Sequence, residues 1–227
     1  MNNIVPSPIS WTLSPRHSEL ASESHGMPKQ VRHDSKTIGV LALQGDFLEH
    51  IQVLEHLGFV TQEVRLPKDL TAIDAIILPG GESTTQANLL DVFELREPLR
   101  KKIELGMPVW GTCAGMILLA RELTQDRPIP LGVMDITVNR NAFGRQADSF
   151  ETDLHIKKLG NKPLRATFIR APRIERIGEG VSILAVLSDK TIVAARQNNM
   201  LVTSFHPEIT GDSRLHKYFA SFVSSPK

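Results

Sequence analysis

Apolar residues in the first part of the chain form short continuous runs that alternate with segments of helical periodicity. The run at 38–43 is typical of a strand that is buried on both faces of a sheet. From 47 to 57 the apolar residues recur at helical spacing, and Gly58 is a typical helix stop. We expect the polar residues of this helix to face water: Glu49, His50, Glu55 and His56. The pattern therefore predicts a strand, a turn and a helix.

The same alternation continues as far as residue 123. It predicts strands at 59–65, 75–78 and 108–110, a helical segment at 83–105 with a break near Asp91, and a helix at 114–123. Strands that alternate with helices in this way form a parallel sheet that is covered on both faces. The predicted fold class is therefore α/β, with a mostly parallel sheet flanked by helices.

Beyond Pro128 the pattern changes to shorter strand-like segments joined by Gly and Asn turns. These segments are 135–138, 152–156, 166–169, 183–187, 192–195 and 200–205, and a helix at 212–223 follows them. Closely spaced strands of this kind predict short antiparallel hairpins that extend the same sheet rather than a second domain. We therefore predict one folded domain, residues 37–227.

Residues 1–36 have a different composition. They hold seven Ser, four Pro and three His and lack a periodic apolar pattern, which predicts a disordered N-terminal extension. Pro6 and Pro8 interrupt the apolar residues that a secretory signal would need, and Glu19 and Glu23 argue against an organelle transit peptide. The alternative, which stays open, is that translation of the natural protein begins near Met27.

Charge and cysteine content restrict the function further. The chain has 26 Lys and Arg against 25 Asp and Glu, a net charge of +1, so it offers no reason to expect a nucleic-acid or anionic-membrane partner. Its apolar runs are far shorter than the roughly 20 residues of a membrane span. A single cysteine, Cys113, excludes an internal disulfide and zinc sites built on paired cysteines, and it favours a reducing, cytoplasmic setting.

The segment Gly111-Thr112-Cys113-Ala114-Gly115 lies between a predicted strand and a predicted helix. This is the setting of a nucleophile elbow with Cys in place of Ser, and its flanking glycines leave room for a tight turn. The helix N-terminus also favours the thiolate form. The alternative is a buried structural cysteine; the two glycines favour catalysis.

A cysteine nucleophile that acts on an acyl group needs a base, and the base needs an orienting carboxylate. His206 and Glu208, which follow the predicted strand 200–205, can supply both. Residues i and i+2 of an extended chain share a face, and Pro207 favours extended backbone at His206. We interpret six other histidines as surface residues in turns: His17, His25, His33, His50, His56 and His216.

A third motif, Pro79-Gly80-Gly81-Glu82-Ser83, also joins a buried strand to a helix. The backbone N–H groups of Gly80 and Gly81, together with that of Ala114, could form an oxyanion hole. The alternative is an ordinary tight turn. The motif lacks the Lys-Ser/Thr ending of a phosphate-binding loop, which argues against a nucleotide site.

Together, Gly111-Thr112-Cys113-Ala114-Gly115 and Phe205-His206-Pro207-Glu208 resemble the signature motifs of class I, or triad-type, glutamine amidotransferases. Further segments narrow the resemblance to the glutaminase subunits of pyridoxal 5′-phosphate synthases: 43–46, 78–85, 140–151 and 168–172. Each segment is weak alone, but their order and spacing make the set specific. The resemblance covers about 37–223 and implies a flavodoxin-like class I glutamine amidotransferase architecture.

The resemblance also implies roles for individual residues. Cys113 attacks the side-chain amide of L-glutamine, His206 carries the proton to the departing ammonia, and Glu208 orients His206. The implied glutamine pocket consists of Gly81, Glu82, Ser83, Arg140, Ile169 and Arg170. Arginine suits such a pocket because a guanidinium group can grip the α-carboxylate of a free amino acid.

Family members deliver ammonia to a barrel-shaped synthase subunit, which combines it with a pentose phosphate and a triose phosphate to make the vitamin B6 cofactor. The resemblance therefore implies a hetero-oligomer, and it links activation by docking to Gln44 and the oxyanion-hole peptide. We expect neither a cofactor nor a metal in this chain. Family members ordinarily begin close to the first strand, so residues 1–36 depart from the pattern.

Three other readings stay open at this point. The chain could be the glutaminase of another pathway, such as imidazole glycerol phosphate or anthranilate formation, although the 140–151 segment argues against this. It could be a non-catalytic homologue that binds and regulates a partner, against which the complete trio Cys113, His206 and Glu208 weighs. A cysteine peptidase or a stress-type thiol protein on a related sheet is the last alternative.

Overall fold

The sequence folds into strands and helices that alternate along the first half of the chain and into mostly strands afterwards. The computed structural model describes residues 36–140 and 149–224. The predicted disordered extension, 1–36, lies outside the described residues except for Lys36, and so does the centre of the 140–151 segment.

The elements are numbered in chain order. The strands are β1 (Thr37–Leu41), β2 (Val60–Val64), β3 (Ala75–Leu78), β4 (Val109–Thr112), β5 (Ala120–Leu123), β6 (Met134–Asn139), β7 (Ser149–Leu154), β8 (Leu164–Ile169), β9 (Arg173–Ile177), β10 (Val181–Val186), β11 (Ile192–Gln197) and β12 (Met200–Thr203). The α-helices are α1 (Phe47–His56), α2 (Ser83–Val92), α3 (Arg96–Glu104), α4 (Ala114–Leu119) and α5 (Arg214–Ser224). Short 3-10 helices cover Pro67–Thr71, Lys157–Leu159 and Pro207–Ile209.

The centre of the sheet is parallel, in the order β2-β1-β3-β4-β12. All four residues of β3 and of β4 are buried, as expected for strands covered on both faces. Gly111 of β4 is paired with Val202 of β12, so these two parallel strands end side by side. Their carboxyl ends therefore bring Cys113 and His206 to the same edge of the sheet, where open α/β sheets place their sites.

Antiparallel strands extend the sheet beyond β12. The order continues β11-β9-β6-β5, and β10 pairs with β11. This arrangement confirms the predicted α/β class with added antiparallel strands. We had expected β7 and β8 to extend the main sheet, but among the described residues they form a separate two-stranded sheet. The alternating burial along β8 explains the difference, because Leu164, Ala166 and Phe168 cover the core beside the main sheet.

Two other predictions differ from the structure. Helix α4 ends at Leu119 rather than near 123, because the next residues form β5 and pair with β6. Strand β9 was not predicted, since its sequence, Arg-Ile-Glu-Arg-Ile, is mostly charged. Pairing of β9 with β6 and β11 outweighs this low apolar content.

Two apolar clusters cover the two faces of the sheet, because successive residues of each strand point to opposite sides. On one face, Val109 and Val202 pack with residues of α2, α3 and α4. On the other face, Trp110 and Leu201 pack with residues of α1, α5 and the β7-β8 sheet. Trp110 is fully buried. In the part of the chain that the structure covers, no helix is both long enough and apolar enough to cross a membrane.

The two glycines around Cys113 permit a close approach between backbone segments. A Cβ atom at Gly115 would lie 2.0 Å from the carbonyl oxygen of Leu78, and a Cβ at Gly111 would lie 2.5 Å from the carbonyl carbon of Gly115. Strand β3, strand β4 and helix α4 therefore meet at a spacing that only glycine allows.

We expect Gly115→Ala to lower the free energy of unfolding by about 3 kcal/mol, because the added methyl group collides with backbone rather than with a flexible side chain. Gly132→Ala is the matched control: its φ is +74°, but a Cβ there would have no atom within 4 Å. The control should lose about 1 kcal/mol from its left-handed backbone alone. Equal losses in urea unfolding would contradict this explanation.

Candidate active site

Cys113 occupies a strained turn between β4 and α4. Its φ is 46° and its ψ is −101°, a conformation that non-glycine residues rarely adopt. The N–H of Cys113 donates to the carbonyl of Thr203 over 2.8 Å, which ties the turn to the end of β12. The Sγ atom lies 3.9 Å from the carbonyl oxygen of Ile169. The strained turn thus presents the thiol at the edge of the sheet.

His206 follows β12, and its N–H donates to the carbonyl of Thr167 in β8 over 2.9 Å. Its Nδ1 lies 2.7 Å from Oε1 of Glu208. Pro207 begins a 3-10 turn that also contains Glu208, so this turn brings the carboxylate to the imidazole. The sequence argument relied on an extended pair instead; the structure reaches the same contact by a different backbone. Both side chains are buried.

A second carboxylate, which the sequence argument missed, also contacts the imidazole. Oδ2 of Asp46 lies 3.3 Å from Nδ1 of His206. Asp46 follows the carboxyl end of β1, the same edge of the parallel sheet that carries Cys113 and His206, and this position is the signal that could have identified it.

The charges of this cluster are strongly coupled. Burial by itself lowers the pKa of His206, but the hydrogen bonds that the ring makes to Asp46, Cys113 and Glu208 prevail and raise that pKa to about 12. The hydrogen bond to His206 holds the pKa of Asp46 below its usual value. Burial raises the pKa of Glu208, and its hydrogen bond to His206 opposes that rise. The imidazole is therefore a cation at neutral pH, held between two carboxylates and the thiol.

The Gly80-Gly81 peptide lies against both the imidazole and the Asp46 loop. The carbonyl of Gly80 accepts from the N–H of Asp46 over 3.2 Å. Because the C=O and N–H of a trans peptide point in opposite directions, the N–H of Gly81 is directed away from that loop. A Cβ at Gly80 would lie 2.3 Å from Cε1 of His206, so only glycine allows the ring this close. The N–H of Ala114 belongs to the first turn of α4, where intrahelical acceptors are missing.

Gln44 holds the peptide loop that follows β3. Its Oε1 accepts from the N–H of Glu82 over 2.8 Å, and its own carbonyl accepts from Nε2 of Gln86 over 3.0 Å. Nε2 of Gln86 also donates to the carbonyl of Pro79 over 3.2 Å. Gln44 is thus joined to both sides of the proposed oxyanion-hole peptide.

The structure brings Arg140 to Glu82. Nη2 of Arg140 lies 3.3 Å from Oε1 of Glu82 and 3.2 Å from Oγ1 of Thr84. The Glu82 carboxylate also accepts from the N–H groups of Thr84 and Thr85, and it therefore caps helix α2. Burial opposes these hydrogen bonds, but they hold the pKa of Glu82 below its usual value.

The remaining predicted pocket residues lie at two places. Ser83 is buried at the start of α2. Ile169 ends β8 with its carbonyl near the thiol, and the exposed Arg170 follows it with a φ of 42°. The structure thus brings Ile169 to Cys113 and Arg140 to Glu82.

The surface positions predicted for His50 and His216 are wrong. Both side chains are fully buried, and Nδ1 of His50 lies 3.0 Å from Nε2 of His216. Nε2 of His50 lies 3.2 Å from Oγ1 of Thr112 and 3.4 Å from Oε2 of Glu208. The ring of Trp110 packs edge-on against both imidazoles, so helices α1 and α5 enclose the pair against the sheet.

Asp46, His206 and Glu208 are the one group of possible metal ligands found in 36–140 and 149–224, with their donor atoms within 4.8 Å of one another. Their contacts are hydrogen bonds: both carboxylates face the same ring nitrogen, Nδ1 of His206. The donor set therefore fits a polarised imidazole better than an ion site.

Comparisons with known proteins identify the family of this chain. The SNO glutamine amidotransferase family matches residues 40–225. Pyridoxal 5′-phosphate synthase subunit PdxT of Herpetosiphon aurantiacus is 56% identical over 186 residues, which cover 81% of this chain and 98% of that protein. The protein of the same description from Carboxydothermus hydrogenoformans is 57% identical over 186 residues, with 82% and 97% covered.

Solved structures also resemble this one. A crystal structure of a glutamine amidotransferase has 46% sequence identity and a TM-score of 0.77, and the match covers 83% of this chain and 99% of that one. The structure of PurLQS from Thermotoga maritima contains a chain with 18% identity and a TM-score of 0.61, with 83% and 97% covered, which supports the fold alone.

Asp46→Asn tests the electrostatic role of the second carboxylate. The pKa of His206 is raised above that of a free histidine, so the ring loses its proton only as the pH rises through the folded value. Removal of the Asp46 charge should lower that value, and the His206 ring should deprotonate at lower pH than in the wild type. NMR titration of the ring, assigned with His206→Asn, measures the change. Asp189→Asn, an exposed carboxylate distant in sequence from the site, should leave the titration unchanged; an unchanged titration in Asp46→Asn would refute this role.

Proposed function

The chain belongs to the SNO glutamine amidotransferase family, and on this premise we propose that it hydrolyses L-glutamine to L-glutamate and ammonia as the glutaminase subunit of a pyridoxal 5′-phosphate synthase. The observation that carries the proposal is the joining of Cys113, in its strained turn, to the buried pair His206 and Glu208. The ammonia supplies the synthesis of vitamin B6.

The geometry supports a two-step mechanism. The sulfur of Cys113 attacks the side-chain amide carbon of glutamine, and the amide oxygen becomes an oxyanion that the N–H groups of Gly81 and Ala114 stabilise. His206 gives a proton to the amide nitrogen as the C–N bond breaks, and ammonia leaves a thioester. His206 then removes a proton from water, which attacks the thioester and releases glutamate and the thiol. Nδ1 of His206 is engaged by two carboxylates, so Nε2 exchanges these protons.

The charged residues of the predicted pocket suit a free amino acid. We assign Glu82, with its carboxylate at the start of α2, to the α-ammonium group, and Arg140 and Arg170 to the α-carboxylate. Gly81, Ser83 and Ile169 complete the wall next to Cys113. The ion pair between Arg140 and Glu82 orients both side chains before glutamine binds.

The partner in this proposal is the barrel-shaped synthase subunit, which receives the ammonia. Its docking acts through Gln44, because this residue holds the N–H of Glu82 and thus the loop that contains Gly81. Relatives more than 50% identical over nearly their whole length carry the name of the pyridoxal 5′-phosphate synthase subunit, which favours this pathway over other amidotransferases. A cytoplasmic setting suits a single free thiol.

We expect Cys113→Ala to lose glutamine hydrolysis by a factor on the order of 10⁶ in kcat, because loss of the nucleophile removes the covalent route. Glutamate release is measured with and without the purified synthase subunit, and the wild-type rate should rise when the synthase is added. Residual hydrolysis of wild-type magnitude in Cys113→Ala would overturn the mechanism. Wild-type protein that releases no glutamate in either condition would instead favour a non-catalytic homologue.

Arg140→Ala tests the glutamine pocket. Loss of the guanidinium group should raise KM for glutamine roughly tenfold and leave kcat within a few-fold, since Arg140 binds substrate without touching the reacting bond. Arg100→Ala is the control, because Arg100 pairs with Glu104 on the surface of α3. A fall in kcat with unchanged KM would refute the assignment.

A further inference from the structure

Glu208 has two carboxylate oxygens, and the triad uses one of them. Oε1 lies 2.7 Å from Nδ1 of His206. Oε2 is buried and has no hydrogen-bond partner in the described part of the chain, and Nε2 of His50 lies 3.4 Å from it. A buried carboxylate oxygen without a donor is costly, so the nearest N–H determines how easily Glu208 stays ionised.

We propose that His50 is a positioning residue, whose Nε2–H donates to Oε2 of Glu208 and keeps this carboxylate ionised and aimed at His206, with His216 fixing the His50 tautomer. The inference deepens the proposed glutaminase mechanism and rests on it. It assigns a role to two buried histidines that lie behind the triad and do not touch the thiol.

The contacts run from Glu208 to His50 and on to His216, and the carboxylate of Glu208 determines the direction of each hydrogen bond. An ionised carboxylate can only accept, so Nε2 of His50 carries the hydrogen. The other nitrogen of a neutral His50, Nδ1, must then accept from Nε2–H of His216 across 3.0 Å. Nδ1 of His216 then carries no hydrogen, which agrees with its lack of a partner among the described residues.

The charges of the surrounding groups agree with this order. Burial lowers the pKa of His50 well below its ordinary value, and it lowers the pKa of His216 to about 4. Both rings are therefore neutral at pH 7. The titratable groups that face Glu208 come from several elements: His206 beside it, Asp46 before α1, His50 on α1 with His216 behind it on α5, and Cys113 after β4.

Thr112 competes with Glu208 for the same hydrogen. Its Oγ1 lies 3.2 Å from Nε2 of His50, against 3.4 Å for Oε2 of Glu208. Only the contact with the hydroxyl has hydrogen-bond geometry, so Thr112 engages the donor that Oε2 of Glu208 lacks. Removal of the hydroxyl should direct the hydrogen fully to Glu208.

Two variants of His50 separate the donor from mere packing. The amide of Gln reaches the position of Nε2, whereas the amide of the shorter Asn reaches only the position of Nδ1. His50→Gln therefore retains a donor toward Glu208, and His50→Asn retains a polar group only toward His216. Thr112→Val is nearly isosteric, and we expect it to act in the opposite direction to His50→Asn.

The readout is the rate of Cys113 alkylation by iodoacetamide against pH. Cys113 is the single cysteine, so the label reports one residue and needs no glutamine. Loss of the donor makes Glu208 protonate at higher pH. A protonated Glu208 no longer stabilises the positive charge of His206. The acid limb of the profile should then move to higher pH by about one unit in His50→Asn and stay near its wild-type position in His50→Gln. In Thr112→Val it should move to lower pH.

Glutamine hydrolysis in the presence of the synthase subunit gives a second measurement. His50→Asn should lower kcat roughly tenfold at neutral pH with KM little changed, and His50→Gln should restore most of the rate. Identical profiles for His50→Asn and His50→Gln would overturn the proposal, as would an unshifted Thr112→Val profile if His50→Asn does not fold. If the variants show these alkylation shifts but the wild-type protein hydrolyses no glutamine, the result would instead refute the proposed function.

Discussion

The site depends on the strained backbone of Cys113. A positive φ at a non-glycine residue persists only where its surroundings hold it, and here the Cys113 N–H is fixed by the carbonyl of Thr203 at the end of β12. Gly111 and Gly115 allow β4 and α4 to approach each other and Leu78 at distances that a side chain would prevent. Fixing this turn fixes the position of Cys113 after β4 relative to His206 after β12, because these strands are paired in parallel.

Carboxylates from two different elements support the cation at His206. Asp46 contacts it from the loop after β1, and Glu208 contacts it from the 3-10 turn after β12. Two carboxylates around one imidazole would repel each other in a buried site without a positive charge between them. The imidazolium is therefore the centre of a charge cluster, which also includes the thiol of Cys113.

The sequence could predict the parallel half of the fold and the positions of Cys113, His206 and Glu208, because these rest on local patterns: buried runs, glycines at a tight turn and a carboxylate two residues from a histidine. It could not predict β9, whose charged residues are held by pairing with β6. It also missed the burial of His50 and His216, which are 166 residues apart and meet only through packing of α1 and α5 on Trp110. One sequence signal existed: His50 lies four residues after Asp46, on the same side of α1.

A neutral donor behind Glu208 suits this cluster better than a lysine or an arginine would. A permanent cation at that distance would attract the carboxylate charge away from His206 and weaken the interaction that keeps the imidazole protonated. An imidazole N–H stabilises the carboxylate through one directed hydrogen bond and adds no net charge. The cost is burial of two polar rings, and the structure limits it by letting His50 and His216 satisfy each other against Trp110. The apolar packing of α1 and α5 thereby contributes to the electrostatics of the triad.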